Sequence, residues 1–131
     1  MTQEDKVTSL ELSKKLRDAG MPQKKSYFQW VLRKGKWVLW NPTDHSDYET
    51  RIEKGWVDAP DCAELSEDRL PDFIGIGEHR HHLYVRKVDI GGFSGGYSGL
   101  DLFRGNTLVE FFGKVLLWCL ENGHCQKDNE L

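Results

Sequence analysis

Phe28-Gln29-Trp30-Val31-Leu32-Arg33, then Lys34-Gly35, then Lys36-Trp37-Val38-Leu39-Trp40 is the stretch on which the fold turns. Large apolar side chains recur at every second position, which is the period of a strand and not of a helix. Lys34-Gly35 supplies a two-residue turn between the runs. In that register Leu32 faces Trp37 and Trp30 faces Leu39, so four large apolar groups gather on one face, which is assigned to the core. The opposite face carries Tyr27, Gln29, Val31, Val38 and Trp40 and is too aromatic for ordinary solvated surface, so the expectation is that another part of the chain covers it.

Upstream of this hairpin, Thr8 with Glu11 three residues later has the form of a capping box, and Val7 and Leu12 are spaced as a hydrophobic staple. A helix is expected from Thr8, with Leu12, Leu16 and Ala19 on one stripe and Gly20 and Pro22 as the stop. Downstream, Asn41 to Gly55 is polar, with Tyr48 and Ile52 spaced to anchor one short helix. Trp56 and Val57 read as a brief strand, and Asp61 caps a short helix carrying Ala63 and Leu65 that ends before Pro71. Phe73, Ile74 and Ile76, a break at Gly77-Glu78 and an extended run from His81 to Ile90 form a second hairpin. Leu83 and Val85 share one face of that run while Val88 and Ile90 take the other, so the strand is either buried on both sides or bulged near Arg86.

Gly91 to Gly99 holds five glycines and reads as a long, mobile connection before a last strand over Leu100 to Phe103. A second capping box, Thr107 with Glu110, opens a helix whose stripe is Leu108, Phe111, Phe112, Val115, Leu116 and Cys119. Leu117, Trp118 and Leu120 widen the stripe until Asn122-Gly123 ends it, so this helix is expected to lie across the sheet or in a homodimer interface. The chain is therefore read as α+β: an antiparallel sheet of about four or five strands with an N-terminal helix and a long C-terminal helix packed on it. Residues 1–131 form a single domain, with 1–6 and 124–131 as loose tails.

Composition narrows the function classes. With 38% apolar residues, five Trp, six Phe and four Tyr, the chain is too aromatic to be disordered. Acidic residues number 21 against 18 basic, a net charge of -3, which argues against a general nucleic-acid partner. The local cluster Lys24, Lys25, Arg33, Lys34 and Lys36 reads as the solvated end of a hairpin. Leu12 to Leu16 followed by Gly20 resembles the first helix of a helix-turn-helix, but the next segment has strand period where a recognition helix would stand. Cys62, Cys119 and Cys125 are an odd set without repeating spacing, and no signal peptide is read ahead of them, which fits a reducing cytoplasm. The longest apolar run, Val115 to Leu120, is too short for a transmembrane helix, so no membrane partner is expected.

Ser9-Leu10-Glu11-Leu12-Ser13-Lys14-Lys15-Leu16 with Gly20, the central Ala59-Pro60, Ala63-Glu64-Leu65 and Leu70-Pro71, and the final Leu116 to Gly123 resemble a family of short phage and prophage proteins. The resemblance implies a mobile-element setting and the cytoplasm of a bacterial host, and it transfers no catalytic residue. The histidines and the glycine-rich run have no counterpart in that pattern.

Three constellations bear on chemistry. On a strand His79 and His81 point to one side, within reach of one ion, but two ligands do not make a site, and Glu78, Asp89, His45 and His124 are only arithmetic candidates for a third. His79 to His82 reads first as a polar hairpin shoulder, and Cys119 with His124 and Cys125 lacks zinc-site spacing. The glycine run lacks the Lys that follows a phosphate-binding loop, since Leu100 stands there, and Gly92-Phe93-Ser94-Gly95 lacks the strand-to-helix setting of an exposed nucleophile. Asp58 with Asp61 and Glu64 with Glu67 are placed at helix starts, not as an acid/base pair. No catalytic residue, metal or cofactor is assigned. The expectation is a phage-type accessory protein that binds, either sequestering a small anionic, nucleotide-like ligand used in host defence or engaging a host protein. Its site would be the flap Gly92, Phe93, Gly95, Gly96 and Tyr97 with Trp40 and Arg86. The alternatives are a small enzyme using His79, His81 or His82 as metal ligand or general base, and, less favoured, a DNA-binding module.

Overall fold

The computed structural model describes residues 6–23, 28–40, 56–89 and 91–125. Helix α1 spans Leu10–Asp18 and is capped by Ser9, whose hydroxyl accepts from the Leu12 N–H at 3.2 Å. The expected cap, Thr8, stands one residue outside. Its hydroxyl pairs with that of Ser13 at 2.6 Å, its N–H donates to the Pro60 carbonyl, and its own carbonyl accepts from Trp30 Nε1 at 3.1 Å. Thr8 is fully buried, so long-range partners claim the groups that would otherwise cap the helix.

Strands β1 (Gln29–Arg33) and β2 (Lys36–Trp40) form the expected hairpin, with Trp30 opposite Leu39 and Leu32 opposite Trp37. Lys34 and Gly35 both take positive φ, as a two-residue turn that follows the strand twist requires. Strand β3 (Trp56–Asp58) pairs with the free side of β1, giving the order β2-β1-β3. One face of this sheet presents Trp30 and Val57 to Val7 and Ala59, with Trp37 and Leu39 packed against them. The opposite face is largely covered: Gln29, Val31 and Trp40 are buried, while Lys36 and Val38 stay exposed at the turn end.

Part of that cover is a π-helical segment, Glu64–Arg69. It opens on a reciprocal box in which Asp61 Oδ1 accepts from the Glu64 N–H at 2.9 Å and Glu64 Oε1 accepts from the Asp61 N–H at 3.3 Å. It closes with Leu70 N donating to Leu65 O, the wide i to i+5 ring, just before Pro71. Arg69 reaches from its last turn to Asp58 on the first sheet. The expected helix over 41–55 lies outside the described residues.

A second sheet follows, so the strands divide into two antiparallel sheets. Strands β4 (Phe73–Ile76), β5 (His79–Lys87), β6 (Phe93–Tyr97) and β7 (Leu102–Gly105) run in the order β4-β5-β6-β7. Strand β5 is neither bulged nor doubly buried: it ends at Lys87, and Val88 lies beyond it in a turn closed by Val88 N to Gly92 O and Gly91 N to Val88 O. The glycine-rich run is not a connection either. Most of it is β6, an interior strand in which Ser94, Gly95, Gly96 and Tyr97 are buried. The glycines serve close approach: a Cβ on Gly95 would stand 2.2 Å from the Tyr84 carbonyl oxygen, and one on Gly96 2.7 Å from that of Asp101.

Helix α2 (Leu108–Glu121) starts at the expected box, with Thr107 Oγ1 accepting from the Glu110 N–H at 3.1 Å and Glu110 Oε2 accepting from the Asn106 N–H at 2.8 Å. It lies across one face of the second sheet, where Trp118 meets the rings of Tyr97 and Phe103. Its other side takes α1, and Phe111, Val115, Leu116, Cys119 and Leu120 join Leu12, Leu16, Leu65, Ile74 and Tyr97 in the main core. After the Gly123 turn the chain stays attached: His124 N donates to Cys119 O at 2.8 Å, and its ring lies 5.0 Å from that of Trp118. No described helix is long and apolar enough to cross a membrane.

Candidate functional site

The residues expected to form one binding flap are distributed by the fold. Gly95, Gly96 and Tyr97 sit inside β6, and the Tyr97 hydroxyl donates to the Pro71 carbonyl at 2.6 Å. Trp40 is buried on the first sheet, and Arg86 is exposed on the second. Gly92 lies against the Gly105 and Asn106 backbone, where a Cβ would come within 2.7 Å of the Gly105 carbonyl oxygen. Phe93 alone among the ring-bearing members borders open space.

That space is a pocket of about 500 Å³ between the start of the π-helical region and the start of α2. Cys62 and Ala63 form one wall, Thr107, Leu108 and Val109 the other, with Phe93 between them and Lys6 and Asn106 at the rim. Two capping boxes shape it. Each fixes a helix start and ties up side-chain oxygens in doing so: Asp61 and Glu64 bond one another's backbone, and Thr107 and Glu110 serve α2. Glu110 also pairs with Lys114 at 3.3 Å.

The chemistry left to the pocket is apolar surface, the ammonium of Lys6, the second carboxylate oxygen of Asp61, the Asn106 side chain and the Leu108 and Val109 N–H groups, which have no intrahelical acceptor. Cys62 is no activated nucleophile: burial, and then the neighbouring Asp61 carboxylate, push its thiol above the ordinary range and keep it protonated. A smaller hollow of about 290 Å³ is also lined by Phe93, with Val88, Arg104, Asn106, Glu110 and Lys114.

Among the described residues the histidines do not assemble a metal centre with other ligands. His79 and His81 share a face, ring centroids 6.5 Å apart, and His81 Nδ1 donates to the Ser98 carbonyl at 2.6 Å. Among the described residues no group of three or more His, Cys, Asp or Glu side chains converges. Cys119 is wholly buried in the core, as its place on the helix stripe indicates.

Phe93 was within reach of sequence reasoning as a large ring in a glycine run. Lys6, Cys62, Ala63 and Leu108 were not, because nothing in their local patterns marks them as neighbours. Comparison with models of protein families, with curated proteins and with solved structures finds no match to this chain.

Proposed function

We propose that this protein acts by binding, and that the pocket between Cys62, Phe93 and Leu108 receives a small molecule with an apolar body and an anionic end. The observation that carries the reading is the pocket itself, about 500 Å³, apolar along its walls and with Lys6 as the cation at its rim. That volume falls in the range of small-molecule sites, roughly 300–1,000 Å³. The ligand's charge would meet the Lys6 ammonium and the Leu108 and Val109 N–H groups at the start of α2, where the helix dipole favours an anion. Binding is favoured over catalysis because the acids and hydroxyl on the walls are committed to capping and the one thiol is held protonated. The setting of a phage or prophage accessory protein in a bacterial cell rests on the sequence resemblance alone.

An anilinonaphthalene sulfonate dye has the required form, an aromatic body with one anionic group. We expect saturable fluorescence enhancement with the native protein, strong loss in Ala63→Trp, which fills the pocket, and weaker binding in Lys6→Ala. Equal binding by the native protein and Ala63→Trp would remove the pocket from consideration.

A further inference from the structure

The four-stranded sheet has two faces, and α2 covers only one of them. Tyr97, Phe103 and Leu83 point to the helix side, where Trp118 packs. Strand alternation and the pairing register place Phe73, Arg80, His82, Tyr84, Arg86, Ser94, Leu102 and Arg104 on the other side. These residues stand in rows across the strands. Tyr84, Gly96 and Leu102 form a central row, and the next row is Arg86, Ser94 and Arg104. On the opposite flank Phe73 stands beside His82, and the Arg80 guanidinium lies over the Phe73 ring at 4.8 Å.

The composition of this face is unusual for sheet surface left to solvent. Phe73 is 41% exposed, Tyr84 39% and Leu102 60%, so three large apolar groups meet water on one side of one sheet. Gly96 carries no side chain between Tyr84 and Leu102, and both it and Ser94 are buried, so what this face offers to solvent is Phe73, Tyr84, Leu102, His82 and the arginines. Three arginines flank these groups, and none of Arg80, Arg86 and Arg104 is in an ion pair among the described residues. No carboxylate stands in the rows; Asp72, Glu78 and Asp101 lie at the strand ends. Among the described residues, the acidic side chains therefore stand outside these rows.

We propose that this open face binds single-stranded nucleic acid, with Tyr84 and Phe73 as stacking platforms and Arg80, Arg86 and Arg104 as phosphate contacts. Exposed rings on a flat sheet present π-faces to unstacked bases, and flanking guanidinium groups can pair with phosphate or stack in turn. The charge complementarity is local: three cations with no ion pair among the described residues surround the rings, in a chain whose net charge is -3. A duplex keeps its bases stacked away from such a surface, so the splayed single strand is the form that fits. The site is separate from the pocket described above and does not depend on it.

Fluorescence anisotropy with the full chain and labelled single-stranded DNA or RNA of about 12 nucleotides tests the proposal. Saturable binding is expected at about 50 mM salt and should weaken strongly by about 200 mM. Tyr84→Ala should weaken it about five-fold or more, the loss of one base-stacking contact. Arg86→Ala with Arg104→Ala should reduce the steepness of the log–log salt dependence by about 1.4, the share of two single-strand phosphates. Arg17→Ala, on the exposed side of α1, and the pocket-filling Ala63→Trp should bind as the native protein does. Circular dichroism establishes that each variant is folded. No binding at low salt, unchanged binding by folded Tyr84→Ala, equal competition by duplex, or loss of binding in Ala63→Trp would each overturn the assignment.

Discussion

Arg69 and Asp58 form a buried ion pair that ties the π-helical segment to the first sheet, with Nη2 3.5 Å from Oδ2 and the side chains only 6% and 0% exposed. Arg69 also donates to the Pro22 carbonyl at 2.8 Å, and Asp58 accepts from Gln29 Nε2 at 3.0 Å. Removing one member of such a pair leaves the other charge buried, which costs far more than the intact pair contributes. Arg69→Ala is therefore expected to lower stability by about 3 to 5 kcal/mol. Urea unfolding checks this; a loss below about 1 kcal/mol would mean that the contact is dispensable.

Gly95 is expected to tolerate no side chain. It has φ of 157°, and its missing Cβ would meet the Tyr84 carbonyl oxygen at 2.2 Å and Val85 Cα at 3.0 Å, backbone atoms that cannot turn aside. Gly95→Ala should cost about 2 to 3 kcal/mol through strain and strand displacement. Gly75, an exposed position in β4 with open space around its missing Cβ, provides the contrast. Gly75→Ala should stay within about 0.5 kcal/mol of the native protein in the same thermal or urea measurement.

Tyr97 predicts alkaline sensitivity. Burial foremost, then the neighbouring Cys119 thiol, pushes its phenol far above the ordinary range. The folded chain thus keeps a proton that the unfolded chain releases near pH 10. Stability from this source is complete below about pH 10 and falls above it, by up to about 1.4 kcal/mol per pH unit. Tyr97→Phe should flatten that decline, while at neutral pH it costs about 1 kcal/mol through loss of the bond to Pro71. Unfolding midpoints across pH 7 to about 11 measure both effects. An unchanged alkaline slope in Tyr97→Phe would assign the sensitivity to other groups.

Features that depend on neighbours a few residues apart were legible from the chain. The alternation of Trp30 and Leu32 with Trp37 and Leu39 specifies the β1–β2 register, because a one-residue slip would turn the whole apolar set to the other side. Thr107 with Glu110, and Asp61 as a cap, mark helix starts for the same reason: the bonds that make them close within three or four residues.

Packing settled what local rules left open. Thr8 and Ser9 are equally good caps by composition, and the choice falls to Ser9 because Ser13, Pro60 and Trp30 take the polar groups of Thr8. Five glycines in nine residues suggest freedom, yet β5 and β7 enclose Gly95 and Gly96 at distances no side chain would permit. Lys6, Cys62, Phe93 and Leu108 become neighbours only when α2 and the π-helical segment dock, and Tyr84, Arg86 and Arg104 share a face only once β5, β6 and β7 pair. Hydrogen bonds and periodicity act over a few residues and can be read along the chain, whereas a pocket or a sheet face is made by contacts between distant segments, whose partners depend on how the whole core closes.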